Sequence, residues 1–95
     1  MGIERLLMVV AAKTNPLRKY KELEEMTGIN ATSWRDVCLE RKRATAEHLE
    51  AIGRLWPEYS LWLLTGRTQS ESGQTSPELE QLKLLQENLG KRSAD

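Results

Sequence analysis

Residues 19 to 43 read KYKELEEMTGINATSWRDVCLERKR, and the spacing of five residues within this stretch leaves the chain little freedom. Leu23 supplies an inward apolar residue, Gly28 a backbone free to take positive φ, and Ile29, Trp34 and Val37 three further core contacts. Two helices joined by the three-residue turn GIN, with basic residues after the second, form the outline of a helix-turn-helix unit. Glu24 departs from that outline. The residue after Leu23 is normally small so that the two helices can approach, and a glutamate there leaves their angle open.

The rest of the chain also repeats at helical spacing. Ile3, Leu6, Leu7 and Val10 make one stripe over residues 3 to 13, with Met8 and Val9 as surplus apolar surface suited to a partner. Asn15 and Pro16 open a second helix over 16 to 27. Trp34, Val37 and Cys38 share one side of the third. Thr45 caps a fourth helix, with Leu49, Ile52 and Trp56 on one face, that ends before Pro57. WPEYSLWLLTG, residues 56 to 66, then holds two of the three Trp and one of the two Tyr in a chain with no Phe. A helix apolar on nearly every side belongs in a core or a subunit contact, so Trp34, Trp56, Tyr59 and Trp62 read as core or dimer residues rather than base-stacking platforms. The polar run over 67–76 reads as a linker. Ser76 and Pro77 open a last helix in the segment 77–95, with Leu82, Leu85 and Leu89 along a seam. At about fourteen residues such a helix is marginal alone and must dock, pair or fray. No strand pattern is present, so the expected class is all-α.

Ninety-five residues make one small domain that buries about two-thirds of its unfolded surface, a thin core that dimerisation would help. Cys38 and His48 are each the sole residue of their type. No disulfide and no Cys/His metal cluster is expected, and a reducing, cytoplasmic setting fits. LLMVVAA at 6 to 12 is short for a signal core and is read as mature protein. No run reaches the length a membrane span needs. No grouping of nucleophile, base and acid, and no phosphate loop, stands out, so neither an enzyme nor a cofactor is expected. The formal net charge is zero, yet Lys13 to Arg43 carries eight basic residues against five acidic ones. Alone, a basic run is a solvated turn; beside the GIN spacing it becomes a candidate phosphate contact.

The GIN turn and the WLLTG ending together resemble the Cro/repressor-type helix-turn-helix domains of phages, prophages and bacterial regulators, over roughly residues 3 to 66. The resemblance implies a five-helix DNA-binding domain over 1–66; the linker and a C-terminal helix, a candidate for oligomerisation, follow it. It implies a homodimer on an inverted-repeat operator in double-stranded DNA, repressing transcription. Residues 31 to 41 become the recognition helix, whose first turn faces base edges in the major groove. Its outward residues are Asn30, Ala31, Thr32, Ser33, Arg35 and Asp36. Arg35 suits a guanine and Asn30 an adenine or a phosphate; Thr32 and Ser33 suit either, or cap the helix; Asp36 would accept from cytosine or orient Arg35. Lys19, Lys21, Arg41, Lys42 and Arg43 would meet phosphates. Glu40 stands where many members have Gly, which predicts that helix three runs on. Candidate dimer contacts are Met8, Val9, Tyr59, Leu61, Trp62, Leu82, Leu85 and Leu89. Two other classes fit a neutral chain with surplus apolar surface: a helical protein-interaction module, and an antitoxin that binds a toxin partner as well as DNA.

Overall fold

The computed structural model describes residues 3–93, with side chains to residue 90; residues 1, 2, 94 and 95 of the expected domain and tail lie outside the described residues. The protein is all-α. Its helices are α1 (Glu4–Lys13), α2 (Lys19–Thr27), α3 (Ala31–Cys38), α4 (Ala46–Leu55), α5 (Ser60–Thr65) and α6 (Pro77–Ser93). No strand is present among the described residues, and none of their helices is long and apolar enough to cross a membrane.

One core unites α1 to α5. Leu6, Val9 and Val10 of α1 meet Leu23 of α2, Trp34 and Val37 of α3, Ile52 of α4, and Tyr59, Trp62 and Leu63 of the WPEYSLWLLTG segment. The buried stripe of α1 runs through Val9 at i+3 from Leu6 rather than through Leu7, which is half-buried. That segment begins as a single 3-10 turn over Pro57–Tyr59 before α5, and Gly66 closes α5 in the left-handed region at φ 78. Residues 16 to 18 form a turn ahead of α2, so α2 starts later than the Asn15-Pro16 pair predicts. The Asn15 side chain caps that turn instead, accepting from Leu17 N–H at 2.9 Å.

Helix three does not run on. It stops at Cys38, and Glu40 adopts φ 60, the conformation a glycine takes without strain. Its N–H still finds Val37 O at 3.0 Å, while Arg41 and Lys42 N–H both donate to Asp36 O at 2.8 and 3.2 Å. The turn is thus fixed by hydrogen bonds to α3, and the side chain at 40 tolerates the strain. Glu40→Gly should relieve about 0.5–1 kcal/mol, raising the melting temperature by about 2–8 °C. An unchanged or lower melting temperature would show that Glu40 is unstrained.

The polar run after Gly66 is no free linker. Gln69 and Gln74 exchange backbone hydrogen bonds at 2.9 and 3.0 Å around a 3-10 turn over Ser70–Ser72. The Gln74 side chain accepts from Leu61 N–H at 2.9 Å and donates to Pro57 O at 3.0 Å, and Thr75 N–H donates to Glu58 O. Ser76 is buried and caps α6 through Leu79 N–H. Tyr59 then donates to Glu80, so the root of α6 is tied to the core. Burial and the neighbouring Glu80 carboxylate push the Tyr59 phenol far above its ordinary value.

Three candidate dimer contacts lie inside the chain's own core: Val9, Tyr59 and Trp62, at 0%, 1% and 8% exposure, leave almost no surface for a second copy, so of the two readings of Tyr59 and Trp62, core or dimer, the fold takes the core. Met8 and Leu61 are half-buried, whereas Leu82, Leu85 and Leu89 are open.

Candidate nucleic-acid interface

Helix α3 would be marginal at eight residues without outside support. Its first N–H groups lack helical partners and would normally attract an anion or water. Here the chain satisfies them itself. Asn30 Oδ1 accepts from Thr32 and Ser33 N–H at 2.8 and 3.2 Å, and Glu24 Oε2 accepts from Ala31 N–H at 2.9 Å. Glu24, which looked like an obstacle to close packing, is exposed and places a carboxylate at the positive end of the helix. The turn between them needs the left-handed conformation of Gly28 at φ 77.

Thr27 locks the angle between α2 and α3. Its hydroxyl donates to Leu23 O at 2.6 Å and accepts from Ile29 N–H and from Trp34 Nε1–H, each at 3.1 Å. The far side of α3 is held by His48 of α4. His48 Nδ1 accepts from Thr45 N–H at 3.1 Å, which leaves the ring proton on Nε2, 3.0 Å from Ser33 Oγ. The ring also meets Trp34 edge-on, with centroids 4.8 Å apart. Thr27, Glu24 and His48 were not singled out by spacing for these tasks. Glu24 lies seven residues ahead of the N–H it caps, as Thr27 lies seven ahead of Trp34, a separation that means contact only once the turn between the helices is known.

Burial lowers the His48 pKa from its ordinary value of 6.5, with Glu47 opposing weakly. Below about 6.5 the unfolded chain therefore binds a proton that the folded chain resists. Stability should be fully present above that pH and decline as pH falls. His48→Gln should flatten the profile between about pH 7.5 and pH 5.5 in thermal melts; an equal acid loss in both proteins would assign it to other groups.

Of the six expected base readers, Thr32 and Arg35 are exposed on α3 and Ala31 is half-exposed. Asn30 is exposed, but its carbonyl already accepts two hydrogen bonds, so its NH2 is what it can offer: a donor for a phosphate or a base acceptor, without the two-way pairing an adenine needs. Ser33 is joined to His48 and serves to position α3. Asp36 is turned inward, its side chain 17% exposed, 3.9 Å from Arg41 Nη1 and 3.8 Å from Lys42 Nζ. Its geometry fits neither a cytosine contact nor the orienting of Arg35; it ties down the basic turn. Both cations are themselves exposed and sit at the long limit of an ion pair, so they remain able to exchange Asp36 for another anion.

Arg41, Lys42 and Arg43 are all exposed just beyond α3. Lys19, at the start of α2, lies close enough to Cys38 for its charge to oppose the rise in thiol pKa that burial causes. Lys19 thus shares an end of the α2–α3 unit with the RKR turn. Lys21 is exposed one residue pair further along α2. The result is an outward face with Thr32 and Arg35 on a braced helix and a cluster of cations at its C-terminal end.

No protein-family model matches this chain, and no curated protein does. Among solved structures, the protein is similar to Pf6r from the filamentous phage Pf6 of Pseudomonas aeruginosa PA01, with a TM-score of 0.68 and 28% sequence identity. The match covers 80% of this chain and 93% of that one. The fold described above is therefore one that a filamentous-phage protein also adopts, nearly over that protein's whole length.

Proposed function

We propose that this protein is a small sequence-specific DNA-binding regulator of transcription, a cytoplasmic dimeric repressor of phage or prophage type that uses no cofactor and catalyses no reaction. The observation that carries this reading is the construction of α3: capped by Asn30 and Glu24, held by Thr27 and His48, and still presenting Arg35 and Thr32 outward beside Lys19, Arg41, Lys42 and Arg43. In this reading Arg35 forks onto a guanine edge in the major groove, while the cations meet phosphates and set register without sequence preference. The similarity to a filamentous-phage protein supports the phage setting. A single copy has a thin basic face, so two copies on an inverted repeat supply the affinity.

Selection of random duplex DNA on the purified protein at about 0.15 M salt tests this, because phosphate-only binding is weak there. An enriched inverted repeat is the expected result. A folded chain that enriches nothing would overturn the reading and favour a helical protein-docking module that reads no DNA. One feature bears on that second reading: an open hollow of about 540 Å³ with Leu6, Ala44, Leu49 and Leu63 along one side and the charged turn Glu40 to Arg43 along the other, which a segment both apolar and acidic would fit.

A further inference from the structure

From Gln81 to Gly90 every residue of α6 is exposed. Leu82, Leu85 and Leu89 stand 51%, 52% and 63% exposed, at the i, i+3, i+7 spacing that puts them on one face of a helix. The root of that helix is not loose: Ser76 caps it, Thr75 is tied to Glu58, and Glu80 accepts from the buried Tyr59. Glu80 lies roughly opposite the leucine stripe on the helix surface. The contact that fastens α6 to the core therefore turns the stripe away from it.

What borders the stripe indicates its occupant. Alongside the three leucines the flanking positions in helical register are Gln81, Gln86 and Asn88, all uncharged amides; the charged Arg92 stands in line only one turn beyond Leu89, and Lys83 and Glu87 fall on the far side with Glu80. An amide both donates and accepts, so the same border on two identical helices is self-complementary and brings no like charges together. Glu78, one turn ahead of Leu82 and in line with the seam, limits the contact to three leucines. Three half-exposed leucines per copy with their borders bury well under the roughly 1,200 Å² that separates stable from weak associations.

We propose that α6 is the self-association surface of this protein: two copies pair along Leu82, Leu85 and Leu89, weakly in free solution and firmly once one duplex holds both. The second half of the statement rests on the DNA-binding reading, since a shared duplex raises the effective concentration of one copy beside the other. The first half does not. A weak pair also explains the length of α6, whose outer half has little to order it in a single copy.

Sedimentation of the full chain without DNA, from about 10 µM to about 1 mM, is the test, a range that spans weak association. The expected mass rises from 10.9 kDa toward twice that value, with far-ultraviolet circular dichroism gaining helix in parallel. Leu85→Glu should stay at 10.9 kDa throughout. Leu84→Glu changes a residue 57% exposed but off the seam and should behave as the unmodified chain does. Both positions lie outside the core, so each variant should keep its thermal transition. A chain that stays monomeric at the highest concentration overturns the proposal, as does a Leu85→Glu variant that associates normally, or a Leu84→Glu variant that fails as Leu85→Glu does. Self-association through Leu85 in a protein that selects no duplex would overturn the DNA reading and leave the pairing intact. A monomer that selects single half-sites would do the reverse.

Discussion

Trp34→Ala should lower the melting temperature by about 12–40 °C, taking an aromatic truncation in a core at about 3–5 kcal/mol and a small domain at about 4–8 °C per kcal/mol. Trp34 is fully buried and is the point where α2, α3 and α4 meet: its ring packs in the core, lies in a T-shaped contact with His48, and its Nε1–H donates to Thr27. Removing it opens a cavity and frees the hydroxyl that fixes the inter-helix turn. With total stability of about 5–15 kcal/mol for such domains, much of the margin disappears. Trp34→Phe, which retains most of the volume and loses one hydrogen bond, should cost about 1–2 kcal/mol. Thermal melts of the two variants decide. A Trp34→Ala protein melting within a few degrees of the parent would place the core elsewhere.

Arg35→Ala should reduce discrimination between preferred and random duplex by about 5- to 150-fold, the range of one bidentate base contact at about 1–3 kcal/mol. Arg35 is exposed and forms no ion pair among the described residues, so its loss should leave the melting temperature nearly unchanged. Lys42→Ala should act differently. Among the described residues its ammonium pairs with Asp36 at 3.8 Å, and loss of such a phosphate contact should weaken all sequences alike and reduce the salt slope by about 0.9. Titrations of both variants on selected and scrambled duplex over a salt series separate the roles. Equal weakening on both duplexes by Arg35→Ala would remove it as a base reader.

The helices that carry these contacts were legible for a simple reason: each has its own apolar period, and all but α3 have a stop signal where they end or just beyond. Gly28 and Gly66 take the left-handed conformation where the sequence places a helix end, and Pro57 follows the end of α4. Leu23, Ile29, Trp34 and Val37 fall inward as their spacing requires, three of them fully buried and Ile29 packed beside them. Glu40 misled because propensity is local. A glutamate continues a helix in isolation, but the Asp36 carbonyl draws Arg41 and Lys42 back and bends the chain at that residue. The 67–76 run misled likewise, since polar composition does not reveal that Gln74 will find Leu61 and Pro57.

The candidate site divides along the same line. Sequence located it, because the GIN spacing and the RKR run are local and periodic. It could not assign tasks within it, because each polar side chain had several partners within reach and only tertiary geometry chooses among them. Asn30 and Glu24 became helix caps, Ser33 a strut to His48, Asp36 an anchor for Arg41 and Lys42, and Arg35 was left facing outward. By itself the sequence determined the helical class, the helix-turn-helix spacing and most of the core, through periodicity and backbone sterics that act over a few residues. Tertiary structure alone decided which apolar residues were surplus, sending Val9, Tyr59 and Trp62 inward and leaving Leu82, Leu85 and Leu89 out, because burial depends on which helices pack together and not on how apolar a residue is.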